Sequence, residues 1–107
     1  MIESDWKKFR EMVPELRERY LAHRNPRLAA MLADPTKNET RRFWDAMEEM
    51  EREARVLREC LDGHSRSKMW LHMSTMIHSG MLTKDDIAVF SADLQKEIAY
   101  AFEEKRG

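Results

Sequence analysis

The fold is decided by residues 36–63, which read TKNETRRFWDAMEEMEREARVLRECLDG. Apolar residues recur here at alternating steps of four and three, the spacing that places them on one face of an α-helix. We call the residues so spaced the apolar stripe: Phe43, Met47, Met50, Ala54, Leu57 and Leu61. Thr36 and Glu39 have capping-box spacing before it, and Gly63 follows it at the position of a left-handed C-cap. The stretch therefore predicts one long helix over about 37–62 with a buried apolar face.

Composition restricts the class of protein further. The chain has 107 residues, of which 42% are apolar and 36% charged, and its net charge is −1. These values fit one compact domain spanning residues 1–107, and the low content of β-branched residues disfavours a sheet protein. The one cysteine excludes an internal disulfide framework and suits a reducing compartment. Because no apolar run approaches the roughly 20 residues that span a bilayer, we expect a cytoplasmic protein without a membrane segment.

Prolines and glycines indicate the boundaries of the other helices. Ser4 can cap a first helix that Pro14 kinks, Pro26 opens a short helical turn, and Gly80 ends a later helix. The predicted elements are a kinked helix over about 5–24, a helical turn over about 26–33, the long helix over about 37–62, and helices over about 66–79 and 84–104. Because short loops make neighbouring helices antiparallel, the sequence predicts an all-α fold. We expect a small antiparallel helical bundle with three longer helices, one shorter helix and a helical turn.

The segment after the long helix carries cations and hydroxyls without a carboxylate. Residues 63–80 contain no Asp or Glu, yet they hold three of the four histidines. The free amides and the dipole at a helix start attract anions, so we expect this start to bind an anion such as a phosphate-bearing ligand. The alternative is an ordinary capped helix start with solvated cations. The predicted site residues are Gly63, His64, Ser65, Arg66, Ser67 and Lys68.

Metal binding and catalysis find little support in the spacing of candidate residues. Cys60 and His64 are four residues apart, but Gly63 should end the helix between them, and no motif of a zinc or di-iron site occurs. We therefore expect no metal, no cofactor and no catalytic residue. An enzyme that uses the His64, His72 and His78 region is the third interpretation of function.

Nucleic-acid binding is the second interpretation. A helix, a short turn at Gly80 and another helix give residues 70–98 the outline of a helix-turn-helix motif. The second of these helices has a net charge of −2 over residues 83–97, which argues against its entry into a DNA groove. A regulator associated with nucleic acid would have to make its contacts through the basic 63–68 end or through Lys7, Lys8 and Arg10.

Methionine and aromatic content suggests a protein-binding surface. The chain has nine methionines and three tryptophans, which is a large apolar load for a small bundle. Some of these side chains should face another chain, and a symmetric homodimer is the commonest arrangement. The predicted interaction surface comprises Met47, Met50, Trp70, Met73 and Met76. The leading interpretation is thus a non-enzymatic, cytoplasmic regulatory or adaptor module that acts by protein–protein contact.

Overall fold

The computed structural model describes residues 3–106, and the regular elements in this range are all helices. This confirms the predicted all-α fold. The elements are α1 (Glu3–Leu32), α2 (Glu39–Leu61), a 3₁₀ turn (Arg66–Lys68), α3 (Met69–Ser79), α4 (Lys84–Ile87) and α5 (Ala92–Arg106). None of these helices is both long and apolar enough to cross a membrane.

The first helix is longer than the sequence predicts. α1 runs without a break through Pro14 and Pro26, so the separate helical turn over 26–33 is wrong, and Ser4 lies inside the first described turn. A proline removes one backbone donor and leaves the carbonyl four residues earlier without a partner. Arg10 and Ala22, which carry those carbonyls, are exposed like the prolines themselves. Water can therefore bond the freed carbonyls, which lets the helix continue.

The start of α2 uses a different cap from the predicted one. Asn38 is the N-cap residue, and its Oδ1 accepts a hydrogen bond of 2.8 Å from the Arg41 amide. The predicted capping box of Thr36 and Glu39 is wrong, because the Thr36 hydroxyl donates instead to Asp34 Oδ1 at 2.7 Å. Asparagine caps a helix as well as threonine does, so the cap nearer to the apolar run prevails.

The predicted C-terminal helix is interrupted. Thr83 and Asp86 form a capping box at its start, but α4 ends after one turn at Ile87. A new helix then starts, because the Ser91 hydroxyl accepts a hydrogen bond of 3.2 Å from the Leu94 amide. The predicted helix over 84–104 is therefore two helices, α4 and α5.

The core occupies one end of the molecule. We call residues 66–106, from the 3₁₀ turn to α5, the C-terminal unit; it packs on the α1–α2 hairpin near the hairpin's open end. The largest fully buried apolar side chains are Phe9, Met69, Met73, Met76, Ile77, Met81, Leu82 and Ile98. The hairpin extends beyond this core, giving a molecule of 53 × 27 × 18 Å. We call this extension, residues 25–52, the arm.

Among the polar contacts between the C-terminal unit and α1, those of Asp5 and Arg19 are partly buried. Asp5 is 1% exposed, and its two oxygens accept hydrogen bonds from the amide (2.9 Å) and the hydroxyl (2.6 Å) of Ser91. Arg19 donates to Asp86 Oδ1 at 2.9 Å and to the Met81 carbonyl at 3.0 Å. These links connect residues more than 60 positions apart in the chain, so they fix where the unit sits along α1.

Replacement of Asp5 tests the first link. We expect Asp5→Ala to lower the free energy of unfolding by about 1–3 kcal/mol, because the Ser91 amide and hydroxyl then lose a buried acceptor. Glu11→Ala, which removes an exposed carboxylate from the same helix, should change it by less than about 0.5 kcal/mol. Urea denaturation measures both values, and equal losses in the two variants would contradict the assigned role of Asp5.

Candidate functional site

The hairpin is joined by polar contacts where it leaves the core. The Tyr20 hydroxyl donates a hydrogen bond of 2.5 Å to Glu53 Oε2, and Arg24 Nε lies 3.5 Å from the same oxygen. The Arg24 guanidinium also covers the Tyr20 ring at 4.7 Å. Burial, reinforced by the hydrogen bond to Glu53, raises the pKa of Tyr20, so its hydroxyl remains a donor. Glu53 of α2 is thus bound from α1 by a hydroxyl and a cation.

The polar contacts continue one turn farther along the arm. Glu49 is 8% exposed; Arg27 Nε lies 3.5 Å from its Oε1, and Arg52 donates to its Oε2 at 2.6 Å. The hydrogen bond from Arg52 lowers the pKa of Glu49, which keeps the carboxylate charged. Leu28 and Ala46 are the buried apolar residues of this part of the hairpin. We call the contacts of Glu49 and Glu53 with Tyr20, Arg24 and Arg27 the polar seam.

The polar seam turns the apolar stripe away from α1. At 100° per residue, Glu49 and Glu53 lie about a quarter turn from the stripe around α2. Phe43 is therefore 52% exposed, Met47 40% and Met50 50%, so their predicted burial is wrong. At the other end of the same stripe, Leu57 and Leu61 are partly buried and pack against the core, as predicted.

Trp44 enlarges the surface that the stripe leaves open. Its side chain is 59% exposed, and its ring meets the Phe43 ring edge-on at 5.0 Å. We call Phe43, Trp44, Met47 and Met50 the arm patch. Judged by their exposed fractions, these side chains present about 500 Å² of surface, which is in the range of the largest apolar patch on a typical monomer, and such patches are often functional.

Only some residues of the predicted interaction surface are exposed in the structure. Met73 and Met76 have no exposed area, because α3 is packed between α2 and α5, and they belong to the core. Trp70 is 45% exposed and lies on the C-terminal unit, where it lines a recess with Glu97 and Tyr100. The arm patch therefore keeps Met47 and Met50 of the predicted interaction surface, and it adds Phe43, whose predicted burial is wrong, and Trp44.

The segment Gly63–Lys68 does not form one converging site. His64 points inward, with Nε2 2.6 Å from the Cys60 carbonyl and its ring 5.0 Å from that of Phe9. Arg66 donates to Glu3 Oε1 at 2.7 Å, so a carboxylate already binds this cation. The residues after Ser65 form a 3₁₀ turn, which moves the start of the α-helix to Met69. Anion binding at this segment stays a prediction.

Of the three histidines on which the enzyme interpretation depends, two lie side by side in the structure and the third lies elsewhere. The rings of His64 and His72 meet at 4.6 Å, whereas His78 Nε2 lies 3.2 Å from Glu104. In the described part of the chain, no three His, Cys, Asp or Glu side chains are close enough together to hold a metal. Burial raises the pKa of the free Cys60 thiol, which disfavours the reactive thiolate.

The helix-turn-helix outline over 70–98 loses its second helix in the structure. α4 has four residues, so no recognition helix follows the turn at Gly80. The basic 63–68 end and the basic residues near the start of α1 remain the places where a nucleic-acid contact would have to occur, and that contact stays a prediction.

The polar seam can be tested at Tyr20. We expect Tyr20→Phe to lower the free energy of unfolding by about 1–3 kcal/mol, because Glu53 loses a hydrogen bond inside the hairpin. Tyr100→Phe removes a hydroxyl from a side chain that is 39% exposed and should cost less than about 0.5 kcal/mol. If urea denaturation gives the same small change for both, the hydrogen bond to Glu53 does not stabilise the hairpin.

The paired histidines predict a pH dependence of stability. Burial, and then the neighbouring His64, lower the pKa of His72 from its ordinary value of 6.5. Around that pH the unfolded chain binds more protons than the folded one, so stability is highest above pH 6.5 and falls as the pH drops below it. We expect the melting temperature to fall between pH 7.5 and 5.5, with a smaller slope in His72→Gln. His23→Gln changes an exposed histidine, and an equal loss of slope there would contradict the assignment.

Known proteins do not supply a function for this arrangement. Comparison of the chain with protein-family models, with curated proteins and with solved structures found no match.

Proposed function

We propose that the protein is a non-enzymatic regulatory or adaptor module that acts by protein–protein contact, and that the arm patch is its docking surface. The observation that carries this proposal is the exposure of Phe43, Trp44, Met47 and Met50 on α2, between 40% and 59% each. Aromatic and methionine side chains are enriched at the centres of protein interfaces, and tryptophan is frequent among the residues that dominate binding energy.

The energetics of the arm patch support this function. At about 25 cal/mol per Å², covering its roughly 500 Å² would contribute on the order of 12 kcal/mol before the costs of association. In the single chain, Arg24 and Arg27 of α1 contact Glu53 and Glu49 on the inner face of α2, and the arm patch lies outside these contacts. A helix from another molecule can supply the apolar surface that α1 lacks.

The arm is also ordered before any partner binds. Its helices are held by the polar seam and by the Asn38 cap, so the patch side chains stand on a helix that is already formed. A docking surface on a formed helix loses less conformational entropy on binding than a disordered segment does. This suits a module that presents one fixed surface to its partner.

Other residues support the non-enzymatic and cytoplasmic parts of the proposal. The His64–His72 pair is packed beside Phe9, which suits a structural role for these rings. Cys60 is a free, buried thiol in a chain without a second cysteine, which suits a reducing compartment.

Site-specific photo-crosslinking in the source cells tests the docking surface. A photoreactive residue in place of Met47 should give a covalent adduct of defined mass with a protein, because this position lies within the arm patch. The same residue in place of Lys96 is the control, since Lys96 is exposed on α5 and lies outside the arm. Equal adduct yields at the two positions, or no adduct from position 47, would contradict the proposal.

A further inference from the structure

We propose that the arm patch is covered by a second copy of this chain, with the two α2 helices antiparallel about a twofold axis. This inference rests on the proposed function and names the partner. It is carried by three features of the arm: the spacing of the stripe, the space that the C-terminal unit leaves on α2, and the size of the patch.

The exposed part of the stripe has the same spacing in both directions. Phe43, Met47, Met50 and Ala54 follow one another at steps of four, three and four. A twofold axis across α2 between residues 48 and 49 exchanges the two ends of this series. Met47 then lies opposite Met50 of the second copy, and Phe43 lies opposite Ala54 of the second copy. The largest side chain of the series thus meets the smallest one, which is the alternation that lets two helices interdigitate.

The C-terminal unit leaves a space of matching length. Leu57 and Leu61, which continue the stripe, already pack against the core. The open part from Phe43 to Ala54 is about 17 Å long at 1.5 Å per residue. In the antiparallel register, Glu39 at the start of the second copy's α2 lies at the level of Arg58. The second copy's α2 therefore begins where the core starts to cover the stripe. The second copy's helix and the core then cover the stripe one after the other along α2.

The patch supplies more than half of the area that one partner contributes to a standard interface. Each copy offers about 500 Å² in the four patch side chains, against about 800 Å² per partner. The remaining area would come from the polar residues that flank the stripe on the same helix, which form the rim of such interfaces. A twofold pair covers both arm patches with one contact.

Measurement of the oligomeric state tests the pairing. Sedimentation at tens of micromolar should give a dimer mass for the natural chain. Met47→Glu combined with Met50→Glu should raise the dimer dissociation constant by about 100-fold or more, because it places unpaired carboxylates in the apolar contact. Trp70→Glu is the control, since it changes an exposed aromatic on the C-terminal unit and should leave the dimer intact. Circular dichroism melting of each variant confirms that it is folded.

Disulfide trapping tests the orientation. Chains carrying Met47→Cys are mixed with chains carrying Met50→Cys and oxidised; the natural Cys60 has no exposed area and serves as background. The antiparallel register predicts an excess of the mixed 47–50 disulfide, whereas a parallel pair would join like positions.

Several outcomes would overturn the inference. A natural chain that stays monomeric, a dimer that the Trp70 variant disrupts and the double Met variant does not, or disulfides between like positions would each do so. If position 47 crosslinks only to a different protein, the self-association is wrong while the proposed docking function stands.

Discussion

The polar seam sets the rotation of α2 about its own axis, and the surface of the molecule follows from it. Tyr20, Arg24 and Arg27 of α1 face Glu53 and Glu49 of α2. A rotation of α2 that buried the apolar stripe against α1 would leave the hydroxyl of Tyr20, a residue that is 6% exposed, facing hydrocarbon without its acceptor. Arg24 and Arg27 are partly exposed and add attraction for the carboxylates at the edge of the contact. Because an unsatisfied buried hydroxyl is costly, the carboxylates take the inner position, and the stripe stays open where α1 presents polar groups.

The sequence predicts the helices better than it predicts which face of each helix is buried. The spacing of the stripe correctly indicates a long helix and the burial of Leu57 and Leu61 at its end. A second face of α2, through Ala46, Glu49 and Glu53, has equally good helical spacing. The polar groups that α1 presents once the hairpin has formed, Tyr20 with Arg24 and Arg27, favour the second face. The prediction from a single helix therefore fails where the neighbouring helix is polar.

The candidate sites also depend on contacts between residues that are far apart in the sequence. Asp5 and Ser91 are 86 residues apart, and no local pattern indicates their contact. His64 and His72 meet because a 3₁₀ turn, and not a regular helix, lies between them. The spacing of residues 63–68 predicts that their cations lie together at one helix start. In the structure, Arg66 instead donates a hydrogen bond to Glu3, which is 63 positions earlier in the chain. Such contacts depend on the tertiary arrangement, which spacing along the chain does not encode.

The arm also links folding to association. Between residues 25 and 52 the buried residues are Leu28, Ala46 and Glu49, so this part of the hairpin buries little apolar surface on its own. Helices in water depend mainly on the packing of an apolar face, and the arm lacks that packing in the single chain. A partner seated on the arm patch would supply it. The polar seam therefore orients the arm, and in the proposed pair the arm patch would add the apolar packing.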